Sequence, residues 1–195
     1  MFTQEELNVM FREYYSVMNG IEPDRLQKRI DLANDLYDVI MVYYVLLEGN
    51  ESQELIENQL ANELYSTIAK YGEIDDYTSE MVDLYTKNIV KANLTHKSSE
   101  YYVSDERAVE VAQDVGQSFL NYFEYQDAVA NNKSKTWFTQ NDMAVRPTHA
   151  TENGKQIPID ETFKVGGYLM RFPKDTYYGA PAEEIVNCRC FVKYS

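Results

Sequence analysis

From Leu7 to Phe123 apolar residues return every three or four positions, and after Ala130 that rhythm stops. A recurrence of this period traces one face of an α-helix, and its loss marks a change of architecture. Thr3 and Glu6 have the spacing of a capping box and predict a first helix on Leu7, Met10, Phe11, Tyr14, Tyr15 and Met18, ending at Asn19-Gly20. Pro23 suits an early helical position. It opens a second helix that runs to about Glu48 and becomes apolar on all sides toward its end, the pattern of a helix central to a bundle. Gly49-Asn50 interrupts the pattern, and Asn50 with Gln53 has cap spacing again. A third helix follows on Leu55, Leu60, Leu64 and Ile68, and Gly72 ends it. A fourth starts near Asp76, residues 93–103 read as a polar loop, and Ser104 starts a fifth on Ala108, Val111, Ala112, Val115, Phe119, Tyr122 and Phe123. Short connections favour antiparallel neighbours, so residues 1–130 are expected to form an antiparallel bundle of about five helices.

Residues 131–134 are a turn-rich hinge. Four of the five prolines and half of the eight glycines follow it. Short strands are expected at 135–139, 168–172 and 190–194, with turns at Asn153-Gly154 and Tyr178-Gly179. The fold class is therefore α+β: an acidic helical bundle, 1–130, followed by a small loop-rich module with short antiparallel strands, 131–195. A unit of that size has little core of its own and needs support.

Charge separates the same two regions. The net charge is −14. After residue 130 there are nine Lys and Arg against seven Asp and Glu, which leaves nine against twenty-five before it. A body so acidic repels a phosphate backbone, so residues 1–130 are not expected to bind DNA directly. The 17 tyrosines suit half-buried helix faces and protein contact surfaces. The polar run Thr3-Gln4-Glu5-Glu6 does not resemble a secretory leader. The most apolar stretch, residues 39–47, is far short of the roughly 20 residues that cross a bilayer, so no membrane partner is expected. Cys188 and Cys190 stand too close for an unstrained mutual disulfide, in keeping with synthesis in a reducing cytoplasm.

The chemistry-bearing residues lie in the second region. Trp137, the one tryptophan, reads as a core anchor. Asp142 and Arg146 are four apart, the spacing of an ion pair on a helix, with His149 three further on; Pro147 disfavours helical geometry at Arg146, so the three could instead meet across a turn. One reading makes His149 an acid–base group beside Arg146 and Asp142, with Tyr177 or Tyr178, in a nuclease-like site. Another makes His149, Cys188 and Cys190 zinc ligands, with a fourth from Asp142, Asp160, Glu161 or His96, in a zinc-stabilised protein-interaction module. The plainer reading is structural: buried cysteines flank a strand and Arg189 points to its other face. That reading is preferred, with no cofactor expected. Phosphate-binding loops, nucleophile elbows and zinc-protease helices are all missing from the sequence.

The ordered string Lys135-x-Trp137, Asp142-x-x-x-Arg146-x-x-His149, Gly154-Lys155, Asp160-Glu161-x-Phe163, Pro173 and Asn187-Cys188-Arg189-Cys190 resembles the phage Mu protein F-like domain, the C-terminal part of minor head or head-morphogenesis proteins. The string spans about a third of the chain. The resemblance implies a phage or prophage head component made in the bacterial cytoplasm and carried in the virion, inside the head and near the portal. It implies portal, capsid or scaffold proteins as partners, with packaged DNA as a further contact. Because the domain also occurs fused to toxins, the resemblance leaves room for an effector that reuses it.

Overall fold

The computed structural model describes residues 1–16, 21–49 and 51–195. The expectations for Met18, Asn19-Gly20 and Asn50 lie outside the described residues. The chain is α+β, with five long helices preceding a set of short strands. Helix α1 is Gln4–Ser16, α2 is Pro23–Leu47, α3 is Gln53–Ile68, α4 is Asp76–Thr95 and α5 is Asp105–Val129. Local chemistry accounts for their starts. The Thr3 N–H donates to Glu6 at 2.7 Å, and the Glu6 N–H donates to the Thr3 hydroxyl, which closes the anticipated capping box. Ser52 caps α3 by accepting from the Leu55 N–H. Asp75 and Thr78 cap α4 reciprocally.

The polar segment 93–103, expected to be a loop, instead completes α4 and then forms a 3-10 turn, Glu100–Val103. The Tyr102 ring stacks on His96 with centroids 4.1 Å apart, and the Asn93 amide donates to the Tyr102 carbonyl. These contacts hold polar residues in regular structure without an apolar stripe.

Packing divides the chain into two compact units. One comprises Met1–Tyr14 and Asp24–Gly116, the other Tyr15–Pro23 and Gln117–Ser195. The division falls inside α5, whereas helices give way to strands after Val129. In the first unit, Leu7, Phe11, Leu36, Ile40, Leu60, Leu64, Met81 and Ala112 are buried. Helices α3 and α4 pack against one another there.

In the second unit, β1 (Ser134–Phe138) is the centre of a three-stranded antiparallel sheet, between β2 (Gln156–Pro158) and β5 (Phe191–Tyr194). A separate hairpin pairs β3 (Phe163–Val165) with β4 (Tyr168–Met170). Gly166 and Gly167, at φ 59° and 92°, turn it in two residues, a conformation that glycine adopts without strain. Two single-turn helices complete the unit, α6 (Pro147–Ala150) and α7 (Ala182–Ile185). Its core gathers Trp137, Ile157, Phe163, Val165, Met170, Ile185, Cys188, Cys190 and Val192. The Gln117 side chain donates to the Cys190 carbonyl at 2.9 Å, and that of Asn121 to the Pro173 carbonyl at 3.0 Å, so the end of α5 is bonded to this core.

Candidate functional site

The site lies where α6, α7 and the start of β5 meet. Arg146 precedes Pro147 in extended geometry, φ −61° and ψ 142°, as a residue before proline prefers. The turn that follows carries His149 inward, and its side chain is buried. Its Nδ1 lies 3.4 Å from both Cys188 Sγ and Cys190 Sγ. Its Nε2 lies 3.0 Å from Glu184 Oε2 on α7, which also accepts from the Thr148 hydroxyl at 2.9 Å. The Trp137 indole meets the imidazole edge-on at 5.8 Å. Cys188 and Cys190 point to one side of the chain because residues two apart in extended backbone share a face. Asn187, in left-handed geometry at φ 55°, turns the chain into that segment.

Electrostatics couple the three groups. Cys188 is pushed down from the usual thiol range chiefly by its hydrogen bond with Cys190, then by His149, against the opposing effect of burial. Cys190 is held up by the Cys188 hydrogen bond and by burial. Burial pulls the imidazole down, but the Cys188 hydrogen bond and charge outweigh it, and the net shift is upward.

The other motif residues serve different contacts. Asp142 pairs with Arg189 rather than Arg146, with both carboxylate oxygens within 2.9 Å of Nη2. Arg146 donates to the Val186 carbonyl. Asp142 is thus engaged elsewhere, while Arg146 and His149 line the same small cavity. Arg189, between the two cysteines, sends its guanidinium to Asp142. Lys135 is fully buried; its Nζ donates to the Ile159 carbonyl at 2.9 Å and sits 5.0 Å from the Tyr125 ring centroid. Burial brings this ammonium down to about 8. Phe163 packs edge-on against Trp137 at 5.1 Å, and Tyr177 lies under the Arg171 guanidinium at 4.3 Å.

Of the four ligands suggested to complete a metal site, Asp142 is held by Arg189, and His96 stacks on Tyr102. Among the described residues, the convergent group of metal-ligand type is His149, Cys188 and Cys190, without Asp160 or Glu161. Two residues of the site carried no sequence signal. Glu184 is one glutamate among many. Gln140, whose Nε2 donates to the Arg189 carbonyl at 2.7 Å, follows β1 without any motif.

Residues 56–193 match the family described as Phage Mu protein F like protein, and the chain belongs to that family. The match begins within α3, well ahead of the third of the chain in which the motifs lie. The chain is also 26% identical over 120 residues to the NAD(+)-arginine ADP-ribosyltransferase EFV of Enterococcus faecalis (strain ATCC 700802 / V583), covering 62% of this chain and 21% of that protein. The alignment thus spans about a fifth of the transferase's length. No solved structure matches.

Proposed function

We propose that this chain is a minor head protein of a phage or prophage, a non-enzymatic component that docks near the portal during head assembly and stays inside the virion. The family match over 56–193 carries this reading. Portal, capsid or scaffold proteins are the proposed partners, with packaged DNA touching at most the mildly basic second region. The geometry around His149 agrees with a structural use of the motif: the imidazole is 1% exposed, and the cavity beside it, about 20 Å³, has room for a single water. Among the described residues, no helix is long and apolar enough to cross a membrane. Mass spectrometry of purified proheads and virions, with crosslinking, tests the proposal. The chain should be present and crosslinked to portal or capsid protein. Its absence from both particles would overturn the reading.

The likeness to an ADP-ribosyltransferase supports a second reading, an effector that shares this module. In its nuclease form, His149 and Arg146 would do acid–base and phosphate-binding work with Asp142. The pairing of Asp142 with Arg189 and the burial of His149 tell against that form. RNA cleavage by the purified chain, abolished by His149→Ala in a protein that still folds, would restore it.

A further inference from the structure

Three groups of metal-ligand type, two sulfurs and one imidazole nitrogen, converge in the core of the second unit. Their spacing is that of a coordination polyhedron. Zinc–sulfur bonds of about 2.3 Å and a zinc–nitrogen bond of about 2.0 Å at tetrahedral angles place sulfur and nitrogen about 3.5 Å apart. Both sulfurs of this site lie 3.4 Å from His149 Nδ1, and the three ligand atoms are all within 4.8 Å of one another.

The surroundings match that use. A metal-bound imidazole keeps its other nitrogen protonated and hands that proton to a carboxylate, which fixes the tautomer and the ring plane. Glu184 Oε2, 3.0 Å from Nε2, is placed to accept it. Gly166 makes room for this carboxylate, since a Cβ there would stand 2.0 Å from Glu184 Oε1. On the other side, the small cavity is lined by Gln140, His149, Cys188 and Cys190, with Arg146 and Arg189 also on its wall. Gln140 is about nine-tenths buried, and its Oε1 has no hydrogen-bond partner although its Nε2 is anchored on the Arg189 carbonyl. A buried amide oxygen without a donor costs free energy unless something electropositive meets it.

Two other uses of the trio fit less well. Cys188 and Cys190 are both free thiols one residue apart, so they are not a structural disulfide. A cysteine nucleophile with a histidine base needs one thiol facing a substrate, whereas here both face the same nitrogen beside a cavity the size of one water.

The geometry points to a structural zinc site, with His149 Nδ1, Cys188 Sγ and Cys190 Sγ as three ligands and the fourth position facing Gln140 Oε1. On metal uptake the two thiols release their protons to solvent, and the Nε2 proton stays with His149, donated to Glu184. The two thiolates then balance the charge of the ion, which permits burial without an unpaired charge. The ion clips α6 to the start of β5 and closes the long loop that carries β2, β3, β4 and α7. The inference concerns the module itself and holds whether the chain serves in head assembly or as an effector.

The test uses the full chain, expressed with zinc in the medium and purified without chelator. Elemental analysis should give about one zinc per chain, falling below about one-tenth in Cys188→Ser, Cys190→Ser and His149→Ala. Gln140→Ala should keep the ion but bind it at least about tenfold more weakly in competition with a chelating dye. Unchanged affinity would remove Gln140 from the fourth position. Because the ligand variants can fail to fold, the wild-type chain carries the deciding measurements. Cobalt(II) should give a thiolate charge-transfer band, and both cysteines should resist alkylation until a chelator is added. Less than about one-tenth equivalent of zinc with no such band in wild-type protein would overturn the site. Loss of the zinc site with the chain still found in heads would overturn this inference alone, and a zinc-loaded chain absent from heads would overturn the proposed function alone.

Discussion

Gly166 and Glu184 are in steric register: at φ 59°, a methyl group on Gly166 would stand 2.0 Å from the Glu184 carboxylate that holds His149. Gly166→Ala therefore meets two penalties, the left-handed backbone and the displaced carboxylate. Gly154, at φ 77°, has nothing within 4 Å of the corresponding position and meets only the first. Gly154→Ala is expected to cost about 1–2 kcal/mol. Gly166→Ala should cost about 1–3 kcal/mol more, as overpacked positions do. Urea denaturation followed by the fluorescence of Trp137, the one tryptophan and part of the second unit, measures both. Equal losses would mean that Glu184 moves aside freely.

Asp175 is completely buried and accepts from three donors of Arg171, the backbone N–H, Nε and Nη2, each at 2.8 Å, and from the Tyr177 N–H at 3.1 Å. Removing one partner of such a pair leaves the other charge uncompensated. Asp175→Ala should cost about 3–5 kcal/mol in the same urea experiment. The double variant Arg171→Met, Asp175→Ala should lose less than the single one, because the orphaned guanidinium is gone. The Asp142–Arg189 pair offers the contrast. Asp142 is exposed, so Asp142→Ala should shift the urea midpoint far less, and raised salt should shrink even that difference.

What could be read from sequence follows from how local each signal is. The long helices were legible because a stripe of period 3.6 repeats over three to seven turns, as from Ala108 to Phe123, and because caps such as Thr3 with Glu6 act within one turn. Strands β1, β4 and β5 were legible from short apolar alternation beside turn residues. Strands β2 and β3, three residues each, are too short to show a period, although Gly166-Gly167 between Val165 and Tyr168 was a hairpin signal in plain view. The site was half legible. The motif string picked out His149, Cys188 and Cys190, which do converge. Sequence proximity also grouped Asp142 with Arg146, which are separated because Pro147 keeps Arg146 extended and Asp142 finds Arg189, 47 residues away. Glu184 and Gln140 were invisible, since nothing marks an ordinary glutamate or glutamine until the fold brings it beside an imidazole or a sulfur.

The start of α4 gives a local test of the helical part. The Thr78 N–H donates to Asp75 Oδ1 at 2.8 Å, and the Thr78 hydroxyl faces the Asp75 N–H at 3.5 Å. Asp75→Ala removes the stronger of these contacts and should cost about 1 kcal/mol. Asp75→Asn should keep most of that, because an amide oxygen still accepts. Thermal melts followed by helical circular dichroism compare the two, and a larger loss in Asp75→Asn than in Asp75→Ala would show that the cap is not what holds this end.

Lys135 makes the stability of the second unit depend on pH. Its ammonium is fully buried, and burial brings it from an ordinary 10.5 down to about 8. A lysine whose folded value lies below its unfolded one carries a penalty at low pH, where both states are charged. Between pH 8 and 10.5 the unfolded chain binds more protons than the folded one, so stability rises with pH across that window as the penalty is relieved. The full penalty is about 3 kcal/mol. Lys135→Met removes the titrating group and should flatten this rise. The difference in unfolding free energy between the two proteins should therefore narrow in favour of wild type as pH goes from 7.5 to 10.5, by roughly the same amount. Taking the difference also cancels the buried tyrosines Tyr43 and Tyr44, which burial pushes up and whose ionisation erodes stability in the opposite sense above pH 10. Part of the benefit of Lys135→Met at neutral pH is offset by the Ile159 carbonyl, which loses the donor 2.9 Å away at a cost of about 1 kcal/mol. The slope is therefore the decisive readout. Parallel stability curves for the two proteins between pH 8 and 10.5 would mean that Lys135 titrates like an exposed lysine and that its burial carries no charge penalty.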